Sequence, residues 1–175
     1  MICYALGRIR SVGFVVLLAC LVPGDLGVGS GAAQAELRID VTEGRADPMP
    51  IAISDFSSQD TKSANIGRDM ASVISANLER SGLFAPVDPN AFIQSLVPLN
   101  VRPKFADWRI LNAQALVHGA VVVQGDGQLR VEFRLWDVFA EQQMVGNAYF
   151  TVPANWRRVA HIISDLIYKR VTGED

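Results

Sequence analysis

Residues 115–136 constrain the fold more tightly than any other stretch of this chain. Ala115-Leu116-Val117-His118-Gly119-Ala120-Val121-Val122-Val123 is an apolar run rich in β-branched residues, which predicts a central strand. Gly125-Asp126-Gly127 then supplies hairpin-turn chemistry. Beyond the turn, Leu129, Val131, Phe133 and Leu135 alternate with Arg130, Glu132, Arg134 and Trp136, the period of a half-buried antiparallel strand. A third strand is predicted near Gln143 to Val152, so that the three form an antiparallel meander.

The flanking segments supply helices and further strands. Ile51 to Phe56 reads as a short buried strand, and Ser57 to Ser63 as a polar loop. Ile66, Met70, Val73, Ile74 and Leu78 recur at helical spacing, with Gly82 as a left-handed C-cap and Leu83 folding back on the last turn. Phe84 to Val87 predicts a brief strand and Ala91 to Leu96 a short helix. Asp107 is placed to cap a helix carrying Trp108 and Leu111. A closing helix from about Pro153 buries Trp156, Val159, Ala160, Ile163, Leu166, Ile167 and Val171. The expected class is α+β, a mixed sheet with a three-stranded antiparallel meander packed against two main helices.

The N-terminus carries an export signal. Arg8 and Arg10 precede the uncharged apolar run Val12–Val22, glycines and Pro23 break it, and Ala33-Gln34-Ala35 offers small residues at Ala33 and Ala35 for signal peptidase. The run is well short of the roughly 20 residues that span a bilayer, so cleavage after Ala35 is expected rather than anchoring. Leu17-Leu18-Ala19-Cys20 also resembles a lipoprotein signal that would acylate Cys20, but the downstream site is the cleaner one. Of 16 basic and 18 acidic residues, the signal removes Arg8, Arg10 and Asp25, leaving 14 against 17. A formal charge of −3 gives no electrostatic reason to expect nucleic acid or an anionic membrane as partner. Both cysteines, Cys3 and Cys20, leave with the signal, so the exported chain has no disulfide.

Glu36-Leu37-Arg38-Ile39-Asp40-Val41-Thr42-Glu43-Gly44-Arg45 opens the exported chain. Leu37, Ile39 and Val41 alternate with polar residues, and Gly44 with Pro48 and Pro50 separates them from the next strand. Two readings stand side by side: an ordinary edge strand, or a free arm that adds to another protein's sheet. The remaining chemistry is sparse. No metal-binding Cys/His cluster, nucleophile elbow or phosphate loop occurs, and Gly125 with Gly127 joins two strands, the wrong context for a dinucleotide fingerprint. His118 reads as a satisfied interior histidine, His161 as a helix-surface residue near Asp165, and Ser54-Asp55 as loop capping. A hydrolase using His118 would need a nucleophile that no motif supplies. The expectation is a non-enzymatic chain without cofactor or metal.

Several segments together resemble the N-terminal domain of the TolB family. They are Pro50-Ile51-Ala52-Ile53-Ser54-Asp55-Phe56, Leu78-Glu79-Arg80-Ser81-Gly82-Leu83-Phe84, Trp108-Arg109, Ala115-Leu116-Val117-His118-Gly119 and Phe133-Arg134-Leu135-Trp136-Asp137-Val138. His161, Asp165, Ile167-Tyr168 and Thr172-Gly173-Glu174 complete the set. The resemblance implies a periplasmic adaptor of the Tol-Pal envelope system, serving outer-membrane integrity, cell division and Tol-dependent protein import. It implies that residues 36–45 bind the C-terminal domain of TolA, without direct membrane insertion after cleavage. In the family a C-terminal β-propeller binds Pal; the sequence ends where that propeller would begin, so its absence here and the loss of the Pal site are expected. The domain plan is then a signal over 1–35, an arm over 36–47 and a folded domain over 48–175. A strand ending in Asp-Phe and a helix ending in Ser-Gly-Leu-Phe also resemble envelope lipoproteins of the curli-secretion and penicillin-binding-protein-activator type, the reading that acylation at Cys20 would favour.

Overall fold

A computed structural model describes residues 47–94 and 97–173. Five strands form one mixed sheet in the order β2-β1-β3-β4-β5: β1 is Met49–Ile53, β2 Phe84–Pro86, β3 Ala115–Val123, β4 Leu129–Asp137 and β5 Gln142–Thr151. β1 runs parallel to both β2 and β3, whereas β3, β4 and β5 form the antiparallel meander. The predicted α+β class and the central place of 115–123 therefore hold.

Alternation along the strands creates two apolar layers. On one face Ile51, Ile53, Val117, Val121, Val131, Phe133 and Leu135 pack under α1 (Thr61–Arg80) and α3 (Trp156–Thr172), which contribute Met70, Ile74, Leu78, Ile163, Ile167 and Val171. Each such fully buried side chain contributes about 1.5–3 kcal/mol of transfer free energy. On the opposite face Ala52 and Leu116 pack under the short α2 (Phe105–Ile110), with Phe105, Trp108, Val97 and Val138. α2 and its flanking loops cover only part of that face. Arg130, Glu132 and Arg134 of β4 stand on the remainder, each half-buried.

Local chemistry moves several predicted boundaries. α1 begins at Thr61, inside the stretch expected to be loop, because Asp60 accepts the Ser63 N–H at 2.9 Å and the Ser63 hydroxyl at 2.6 Å. Ser57 is also ordered by pairing: its N–H donates to the Gly119 carbonyl and its carbonyl accepts from Val121. Gly82 takes φ +74° just past α1, as its left-handed capping role requires. Residues 89–91 form a single 3-10 turn, and residues 92–94 of the helix expected over Ala91–Leu96 are not helical, since Asp88 and Pro89 start a turn and Phe92 is already extended; residues 95 and 96 lie outside the described residues. α2 begins at Phe105, so Asp107 lies in its first turn and is not its cap. Trp156 and Leu166 are half-buried at the margin of the helix face, while Ser164 and Thr172 are buried within it.

Pro50 was expected in a hinge, yet it lies within β1. Its carbonyl accepts from Gln114, and its nitrogen faces the turn ahead of β3, where no strand donor is needed. Asp47 and Pro48 are exposed just before the strand.

Candidate functional site

The residues singled out for partner binding, Glu36 to Arg45, lie outside the described residues, as do Ala33, Ala35 and Cys20. The first described strand begins at Met49, whose N–H donates to the Leu83 carbonyl at 2.8 Å, between the start of β2 and the C-terminal end of α1. Alongside, α1 and α3 form a crevice of about 380 Å³ lined by Asn77, Arg80, Ser81, Ser164, Asp165 and Tyr168. Asn77 closes one side, donating to Ser164 Oγ at 3.1 Å and to His161 Nδ1 at 2.8 Å. His161 thus links the two helices and makes no ion pair with Asp165 among the described residues.

His118 is wholly buried, and both ring nitrogens are engaged. Trp136 Nε1 donates to Nε2 at 2.8 Å, so Nδ1 carries the proton and donates to the Val97 carbonyl at 3.2 Å. Desolvation is the main cause that pulls its pKa down to about 4; Arg134 adds to the drop, and the Val97 hydrogen bond opposes it. The ring is neutral and has no lone pair or proton free for a substrate. Ser54 is likewise buried, its hydroxyl directed at the Val117 carbonyl, while Asp55 sits 3.9 Å from Arg68 at the surface. These polar residues are parts of the frame. Among the described residues no group of three His, Cys, Asp or Glu could hold a metal ion. No helix among them is long and apolar enough to cross a membrane.

Two polar clusters emerge that the sequence did not announce. At the β4–β5 turn, Arg109 donates to the Val138 and Phe139 carbonyls and to Glu141 at 2.7 Å, and Arg102 donates to the Glu141 carbonyl and carboxylate. These bonds hold Glu141 at φ +57°, a region that non-glycine residues seldom occupy. On the open sheet face Glu132 pairs with both Arg130 and Arg134. It borders a cleft of about 480 Å³ formed with Ser57, Gln59, Leu99 and Val122. The partners are 29 to 39 residues apart at the turn, beyond any local spacing signal.

The segments 108–109 and 133–138 that carried the family resemblance meet here, since Arg109 grips the carbonyl of Val138. The family model of the TolB amino-terminal domain matches residues 37–144. The chain belongs to the TolB family. The "Tol-Pal system protein TolB" of Paramagnetospirillum magneticum is 49% identical across 97% of the chain, which spans 37% of that relative's length. TolB from Acinetobacter baumannii shares the fold with a TM-score of 0.60 at 22% identity, over 79% of this chain and 32% of that one. The LpoB C-terminal domain from Salmonella enterica superposes more loosely, with a TM-score of 0.46 at 13% identity over 63% of this chain and 87% of that domain. A likeness that loose says nothing of function.

Proposed function

We propose that this chain is a non-enzymatic periplasmic adaptor of the Tol-Pal system whose residues 36–45 bind the C-terminal domain of TolA by adding a strand to its sheet. One observation carries the reading: the family match begins at Leu37, so the alternating segment Leu37, Ile39, Val41 belongs to the matched region and not to the leader before it. Main-chain hydrogen bonds along a sheet edge supply the affinity in such a complex, and Leu37, Ile39 and Val41 fill alternate pockets. The domain plan follows: a signal removed after Ala35, an arm over 36–47, and a platform from residue 48 onward. The structure supports a platform role, because its histidines and buried hydroxyls are committed to internal bonds. Support for outer-membrane integrity, division and Tol-dependent import would follow from that link.

Substituting Ile39 by Asp tests the reading. A carboxylate in an apolar pocket loses a few kcal/mol of binding, so affinity for the TolA C-terminal domain falls by at least tenfold while the melting temperature stays put. Unchanged affinity in Ile39→Asp would remove the arm from this function.

A further inference from the structure

The two edges of the sheet are protected very differently. β2 is three residues long and ends on Pro86. β5 is ten residues long, Gln-Gln-Met-Val-Gly-Asn-Ala-Tyr-Phe-Thr, with no proline and no charged residue. Edge strands are normally blunted by brevity, proline, bulges or charge, because unpaired backbone groups template further pairing. Apart from the one irregularity opposite Leu135 and Trp136, β5 lacks these defences.

The register shows which backbone groups are free. Val138 N–H donates to Gln114 and Gln124 N–H to Gln128, which makes the even-numbered residues of β4 the ones bonded to β3. Its odd-numbered residues therefore bond to β5 through Val145, Asn147, Tyr149 and Thr151. The N–H and C=O groups of Gly146, Ala148 and Phe150 point away from the sheet, and no other described residue hydrogen-bonds to them. At the two ends of the row the carbonyls are taken, Met144 by Arg170 Nε at 3.2 Å and Val152 by the Asn155 N–H at 2.9 Å. The side chains of this outward row share the open face with Arg134, Glu132 and Arg130, their cross-strand partners. Phe150 is 62% exposed there.

We propose that β5 pairs antiparallel with β5 of a second copy of this chain, about a two-fold axis at Ala148. An isologous contact must be self-complementary, and the spacing meets that condition. With Ala148 opposite itself, Gly146 faces the second copy's Phe150, and Phe150 faces its Gly146. Each exposed ring then covers the bare backbone of a glycine, a pairing that stabilises strand edges. The amide end of Gln143 now lies over Gly146, and it is an exposed, flexible group able to swing aside. The strand beyond each glycine presents Arg134, whose guanidinium can reach over the incoming ring. Arg130, Glu132 and Arg134 pair among themselves, so no row of like charge opposes its copy. The ladder runs over residues 146–150, roughly 17 Å. The occupied carbonyls of Met144 and Val152, and then Pro153, end it. An edge-to-edge contact of this length falls short of the roughly 1,200 Å² of a standard interface, so association is weak and depends on concentration.

Sedimentation velocity on the purified chain tests this. The weight-average mass should climb from monomer toward dimer between about 10 μM and about 1 mM. Ala148→Lys sets two ammonium groups side by side at the axis and should hold the chain monomeric, whereas Phe139→Lys, exposed elsewhere, should leave association intact. A monomer at every concentration, or association that Ala148→Lys does not weaken, would overturn the proposal. Should Ala148→Lys lose its melting transition, amide exchange on the unaltered chain decides. Protection at Ala148 and Phe150 should rise at least tenfold across that range, and protection independent of concentration overturns the pairing.

Discussion

Around His118, the neutral ring is part of what holds α2's side of the sheet in place, and acid should undo it. The folded pKa of about 4 lies below the ordinary 6.5, so the unfolded chain takes up a proton first as pH falls. The contribution is full above pH 6.5 and is lost as pH drops toward 4, at roughly 1.4 kcal/mol per unit and on the order of 3 kcal/mol in all. Urea unfolding at pH 7 and at pH 4.5 should show a smaller pH difference in His118→Gln than in the unaltered chain. Parallel curves would mean that His118 has no part in the acid response. A second prediction concerns Phe56, whose ring lies where a Cβ on Gly119 would come to 2.3 Å, while its carbonyl stands 2.3 Å from the place of a Cβ on Gly67. Gly119→Ala should cost about 1–3 kcal/mol through overpacking, read as a lowered thermal midpoint. An unchanged midpoint would show that Phe56 yields freely. The interior placement of His118 could be read from its apolar neighbours. Its partners could not, because Val97 and Trp136 reach it only once the β3–β4 register and the loop before α2 are set.

Among the elements, periodicity carried furthest where one face is buried. Residues 129–137 bury every odd position and leave the even ones half-open, so the strand and its facing were both readable. The start of α1 was not, since Ser57, Ser58, Asp60 and Ser63 suit a loop as well as a cap, and the choice falls to one carboxylate. Asp60→Ala should therefore cost about 1 kcal/mol of stability, measured by chemical denaturation; a loss near zero would mean that the cap is replaced by solvent. Pro50 was misread for a related reason. Proline argues against a strand only where the ladder needs its N–H, and that depends on where the neighbouring strand begins. The turn cluster of Arg102, Arg109 and Glu141 left no local signal, because three separate segments supply it.

In the molecule as a whole, the proposed function assigns the partner contact to residues 36–45 and the platform to the folded part. Export should leave a chain beginning at Glu36, visible as an intact mass without a lipid adduct. A mass carrying acyl groups on Cys20 would instead place the chain among lipid-anchored envelope proteins. Binding through an arm rooted at Met49 requires that the arm be necessary and the platform insufficient. Calorimetric titration against the TolA C-terminal domain compares residues 36–175 with a chain starting at Ala46. Heat of binding from the longer chain and none from the shorter is the expected result; equal binding by both, or none from the longer, would contradict it.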